Sequence, residues 1–177
     1  MRYLQLSLLA VGALLLYTCR SGNQEVPQRL KTHYPPLDRK LARMVAVDSS
    51  AVNPAETRMI SGAIFLDARS EEEYVVSHIP HARYVGFSSP DFTAIDDVEL
   101  DTPLVVYCTI GYRSERVAKE LRRRGFTQVH NLYGSLYAWK LAGYILVDAQ
   151  GRPTDQLHTY NRKWGRYAPD TIGTKVY

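Results

Sequence analysis

Pro103-Leu104-Val105-Val106-Tyr107-Cys108-Thr109-Ile110-Gly111-Tyr112-Arg113-Ser114-Glu115-Arg116-Val117-Ala118-Lys119-Glu120-Leu121 is the stretch that decides the fold. It opens as a short apolar run rich in β-branched residues, which reads as a buried strand. Pro103 suits the first position of such a strand, where no ladder N–H is needed. The run stops at Cys108, a loop follows, and a helical pattern begins at about Ser114. Val117 and Leu121 give that helix an apolar face at i, i+4 spacing, widened by Ala118. A thiol therefore stands at the carboxyl end of a strand, the end where open α/β sheets bind ligands. The loop must curl over a helix N-terminus, whose N–H groups and dipole favour an anion. Gly111 gives it turning freedom, and Arg113 adds a positive charge beside the thiol. These effects favour the thiolate, which is the nucleophilic form. The competing reading is a small buried hydrophobe that finishes an apolar strand.

The 177 residues suit one domain with extensions, and 45% hydrophobic content excludes a disordered chain. A net charge of +4 is mild. Much of it is local, in Arg113, Arg116, Lys119, Arg122, Arg123 and Arg124. These cations read as a solvated helix face with bases near its C-terminus, and nucleic acid is not an expected partner.

Met1-Arg2 is a short basic start, Leu4 to Leu16 is nearly all apolar, and polar residues begin at Thr18. This is the layout of an export signal over residues 1–19. The apolar run is shorter than the roughly 20 residues that span a bilayer. Leu16-Tyr17-Thr18-Cys19 resembles a bacterial lipobox, except that Tyr17 is large where a small residue belongs. Lipidation at Cys19, simple cleavage and an uncleaved anchor all stay open. The expected location is exported, periplasmic or membrane-anchored, with the membrane reached through the lipid or the N-terminal segment. The chain has two cysteines. With Cys19 lipidated or removed, Cys108 has no partner for an internal disulfide. That moves the balance toward a reactive thiol.

Residues 20–40 carry Pro27, Pro35 and Pro36 with no apolar period, and read as a polar tether. An α/β domain is expected over 41–150. Met44-Val45-Ala46-Val47 is its candidate first strand, and Asn53-Pro54 opens a helix. Ala63 to Leu66 is a strand ending in Asp67-Ala68-Arg69. Ser70 caps a short helix whose first turn is acidic. His78-Ile79-Pro80-His81-Ala82 turns the chain into a strand over 83–87. Residues 88–102 read as irregular, with at most one short helix. A strand over 127–132, a helix from Leu136 to about Leu141, and the run Tyr144 to Val147 complete the pattern. Alternation of strands and helices predicts a parallel sheet. The aromatic and basic tail, 151–177, with Tyr160, Trp164 and Tyr167 among its rings, reads as a strap whose rings pack on the domain and whose bases stay in water; a partner or ligand surface is the alternative.

Two separated motifs resemble the rhodanese-like single-domain sulfurtransferase family. The first is Leu66-Asp67-Ala68-Arg69, Glu73-Tyr74 and His78-Ile79-Pro80-His81-Ala82, with Ser77 and His81 where the family usually has Gly. The second is Cys108-Thr109-Ile110-Gly111-Tyr112-Arg113-Ser114, similar to the family's active loop. The match covers about 42–147. The resemblance implies a five-stranded parallel sheet flanked by helices on both faces. It implies that Cys108 is catalytic and carries a persulfide between a sulfur donor such as thiosulfate and a thiol or cyanide acceptor, either of them a small molecule or a protein. Thr109, Ile110, Gly111, Tyr112, Arg113 and Ser114 would bind substrate. Arg113 would hold the donor's oxyanion. Asp67 and Arg69 would support the loop, with a local Arg69–Glu73 ion pair as the alternative. His78 reads as turn-fixing, and Tyr112 as a rim residue or a screen against water. Neither cofactor nor metal is implied. A phosphatase of related fold is the nearest rival, but its loop places five residues between Cys and Arg, and four stand here. A non-catalytic binding module of the same fold is the other alternative.

Overall fold

A computed structural model describes residues 24–177 of the chain. The export-signal and lipobox readings, Cys19 included, lie outside the described residues. In chain order the elements are α1 (Pro35–Met44), β1 (Ala51–Val52), α2 (Pro54–Thr57), β2 (Ile64–Asp67), α3 (Glu71–Val76), β3 (Arg83–Tyr84) and β4 (Leu104–Tyr107). There follow α4 (Tyr112–Arg123), β5 (Val129–Leu132), α5 (Ser135–Leu141), β6 (Leu146–Val147), β7 (Pro153–Thr154), β8 (Gln156–His158), α6 (Arg162–Gly165) and β9 (Thr174–Val176). Five strands form one parallel sheet in the order β1-β5-β4-β2-β3. The chain has the expected α/β architecture, with β4 at the centre and buried throughout.

Period-2 alternation along β4 splits the core into two layers. Leu104 and Val106 face Val117 and Leu121 of α4, with Leu66 and Phe126. Val105 and Tyr107 face Leu136 and Tyr137 of α5. The second layer also takes Leu30, Leu37 and Leu41 from before the sheet, and Leu157, Ala168 and Ile172 from after it. Both extensions therefore pack on the same face.

This corrects the tether expected over 20–40, within its described part. Pro35 and Pro36 read in sequence as breakers, but they occupy the first helical turn of α1, where a missing N–H costs nothing. Leu37 and Leu41, one turn apart, are fully buried. Each contributes about 1.5–3 kcal/mol of burial, which a solvated tether would forgo. The expected strand Met44–Val47 is instead the end of α1 and an extended exit, and the edge strand begins at Ala51. A four-residue apolar run cannot separate these outcomes by period alone. Val45 is buried, and the Gln24 side chain bonds to the backbone of Val45 and Val47.

At the other end, β6 pairs with β7, and β8 pairs in parallel with β9. The tail thus folds back through strands of its own. No helix among the described residues is long and apolar enough to cross a membrane.

Candidate active site

The carboxyl ends of β2, β4 and β5 lie side by side, and the loops that leave them meet around Cys108. The Cys108 side chain is nearly inaccessible. Its Sγ accepts the Gly111 N–H at 3.1 Å. Gly111 has φ +110, a conformation that L side chains rarely adopt. A Cβ there would also stand 3.3 Å from Val45, so the N-terminal extension presses directly on the loop. The loop carbonyls are satisfied from α5: Leu136 N–H donates to Cys108 O, and Tyr137 N–H to Thr109 O, both at 3.3 Å. Gly134 sets up that arrangement, because a Cβ on it would meet Ala138 Cβ at 2.7 Å. Ser135 Oγ accepts Cys108 N–H at 3.0 Å and donates to Leu132 O.

One side chain ties the loop to the rest of the domain, and it is Glu73. As third residue of the α3 capping box, its Oε2 accepts the Ser70 N–H. The same carboxylate receives Arg113 through both guanidinium ends, Nη1 to Oε2 at 2.6 Å and Nη2 to Oε1 at 2.7 Å. Thr109 Oγ1 donates to Oε1 at 3.1 Å and accepts Arg113 Nη2 at 2.8 Å. Burial pushes the Glu73 carboxyl up, but the Arg113 hydrogen bonds and charge, with the Ser70 N–H and Arg69, bring it down to about 2. Burial likewise raises the Cys108 thiol. The Arg113 charge and the Ser114 and Gly111 N–H groups more than reverse that, leaving it below its ordinary value.

The expected residues are distributed as follows. Cys108, Thr109, Ile110, Gly111, Tyr112, Arg113 and Ser114 are together in one loop and helix start. Of the loop's main-chain amides, that of Gly111 reaches the sulfur, and Ser114 adds one from within α4. Asp67 and Arg69 are close by but do not bond to the loop. The Asp67 carboxylate is taken by Arg69, at 2.7 Å to Nη2 and 2.9 Å to Nε, and Nη2 also donates to Ser77 O. Their support is therefore of the turn after β2 and not of residues 108–113. The alternative Arg69–Glu73 pair is not formed either. Arg113, expected to hold a donor oxyanion, is bound to Glu73. His78 is turn-fixing: its backbone pairs with Val147, its Nδ1 lies 3.0 Å from Tyr74 O, and its ring stacks on Tyr74.

A cavity of about 250 Å³ opens over Cys108. Tyr112, Arg113 and Ile110 line it from the loop, and Phe87 from the segment after β3. Met44, Tyr160 and Trp164 complete the wall from the two extensions. Sequence reasoning placed Tyr160 and Trp164 in a strap or ligand surface without aiming them at Cys108, and gave no site role to Met44, to Glu73 as loop anchor, or to Asn131 beneath the loop. The signal for Glu73 was its capping-box spacing, which explains one of its bonds and hides the others.

Comparison with known proteins agrees with this geometry. The rhodanese-like domain family matches residues 52–142. A thiosulfate sulfurtransferase GlpE of Stutzerimonas stutzeri is 36% identical over 81 residues, 45% of this chain and 72% of the relative. One from Pseudomonas fluorescens is 36% identical over 93 residues, 52% of this chain and 83% of the relative. The solution structure of a rhodanese-like domain from Anabaena sp. superposes with TM-score 0.52 at 22% identity, over 57% of this chain and 80% of that one, a likeness of fold. With more than half its length inside the family's span, and a strand-end thiol in an amide-lined loop at the expected place, the chain belongs to the rhodanese-like domain family.

Proposed function

We propose that this protein transfers sulfane sulfur through a persulfide on Cys108. The Cys108 thiolate attacks the outer sulfur of a donor such as thiosulfate. The new S–S bond forms as the donor's own S–S bond breaks, and sulfite leaves with the electron pair. The persulfide anion then meets a thiolate or cyanide acceptor, which takes the outer sulfur and returns Cys108 as thiolate. Charge and atoms balance in both halves, and no cofactor enters. This is covalent, two-stage catalysis.

The observation that carries the reading is the Gly111 N–H at 3.1 Å from Sγ. Such a donor is in place before reaction and stabilises both thiolate and persulfide without reorganisation. The test is mass measurement of the intact protein after exposure to a sulfane-sulfur donor. One added sulfur at Cys108, discharged by cyanide and absent in Cys108→Ser, is expected. An unchanged mass with every donor would reject the mechanism. We also propose, from the apolar start of the chain, that the protein is exported. Cell fractionation that finds it wholly in the cytoplasm would reject that.

A further inference from the structure

Three features of the cavity over Cys108 point to the kind of sulfur compound it takes. Its wall is mostly apolar, and Met44, Tyr160 and Trp164 come from outside the span matched by the family. Arg113 is the one cation among the residues that line it, and both its guanidinium ends are held by Glu73. Finally, Tyr160 is placed there at a cost. Its φ is +68, and the Asn161 N–H donates to Thr159 O at 2.8 Å, which makes Tyr160 the centre of a γ-turn. That conformation is strained for a bulky residue. It is held by His158 Nδ1, which accepts the Tyr160 N–H at 3.1 Å, and by Thr159, fully buried between β8 and α6. The result is a large ring left 54% exposed over the mouth, 5.2 Å above the Arg113 guanidinium. Trp164 is set by the Asn161 cap of α6 and by Lys40 of α1, 5.0 Å from its ring.

A dianion such as thiosulfate gains little from this mouth. It would give up its water for apolar walls and a cation whose charge is already matched. An organic donor of single charge gains apolar burial instead. Resting on the sulfur-transfer reading, we propose that the donor is an organic sulfane-sulfur compound, a persulfide or thiosulfonate bearing an aromatic or alkyl body, and that Tyr160 and Trp164 select that body. The thiolate attacks the outer sulfur, the S–S bond to the organic part breaks, and an organic thiolate or sulfinate leaves with the pair.

The test pairs a binding arm with a reaction arm, both on the full chain. Benzenesulfonate and sulfate, which do not react with a thiolate, are compared by calorimetry. Benzenethiosulfonate and thiosulfate are then compared as sulfur donors to Cys108 by kcat/KM. Wild type should prefer the aryl member of each pair by about tenfold or more, the worth of one well-packed ring. Tyr160→Ala and Trp164→Ala should each cut the preference by about three- to tenfold, and Tyr160→Phe should keep it. Equal binding of benzenesulfonate and sulfate, or a preference unchanged in both alanine variants, overturns the proposal. Aryl-selective binding with no sulfur loaded from either donor retains the selector and overturns the transfer chemistry.

Discussion

Two arginine–carboxylate pairs sit within fifty residues of one another, and they are built for different ends. Asp67 and Arg69 are two apart in sequence, fully buried, and bonded to each other and to Ser77 O. Glu73 and Arg113 are forty apart, and the arginine keeps 16% of its side chain in contact with solvent. The first pair closes a turn after β2. The second joins α3 to the loop that holds Cys108, and sets the charge felt by its sulfur. Similar chemistry thus serves architecture in one place and reactivity in the other. What distinguishes them is the sequence distance spanned and the water left to the cation.

The largest effect expected from this contrast is on stability. Asp67→Asn strands a guanidinium with no route to water, and should cost about 3–5 kcal/mol in denaturant unfolding. Sulfur loading per folded molecule should change little, because Asp67 makes no bond to the loop. A variant of normal stability, or one that folds but cannot load sulfur, would erase the distinction between the pairs.

Glu73→Gln should be milder in stability, about 1–3 kcal/mol, since Arg113 reaches solvent. Its signature lies in pH. The folded Glu73 carboxyl titrates at about 2 against an ordinary 4.5, so its contribution is full above pH 4.5 and is lost as pH falls from there toward 2. Wild type should lose stability through that window, and Glu73→Gln should lose less. The thiol should respond as well. With the opposing carboxylate gone, the Arg113 charge favours the thiolate more strongly, and the Cys108 titration should move further down. An upward move would mean that Arg113 leaves the loop once Glu73 releases it.

The same contrast explains what could be read from the chain before its structure. The Ser70 cap and the strand-end thiol are local, and spacing reveals them, whereas Asp67 and Arg69 were expected at the active loop and bond to each other instead. The parallel sheet follows from alternation, because each short apolar run is bounded by a turn or a cap. The Glu73–Arg113 clamp was not legible, since the capping box already accounts for Glu73 and nothing in sequence pairs it with a residue forty positions on. The N-terminal extension was hidden for a different reason. Pro35 and Pro36 mark either a linker or the first turn of a helix, and only the burial of Leu37 and Leu41 decides between them. Tyr160 and Trp164 lie in an aromatic, basic tail whose period gives no hint of the cavity it overhangs.

The smallest effect expected concerns Ser114, and it separates backbone from side chain at the sulfur. Ser114 Oγ lies 3.7 Å from Cys108 Sγ but 2.7 Å from Asn131 Oδ1. Asn131 Nδ2 in turn donates to Gly111 O at 3.2 Å, which fixes the amide so that Oδ1 faces the serine. A hydroxyl has one proton to give, and this arrangement sends it to Asn131. The thiolate is then held mainly by main-chain N–H groups and by Arg113, none of which Ser114→Ala removes. The thiol titration in that variant should move by less than about half a pH unit, while stability falls by about 1 kcal/mol from the lost buried hydrogen bond. A shift of a full unit upward would show the proton directed at sulfur. The serine would then belong with Arg113 among the groups that set reactivity, and the amides alone would not suffice.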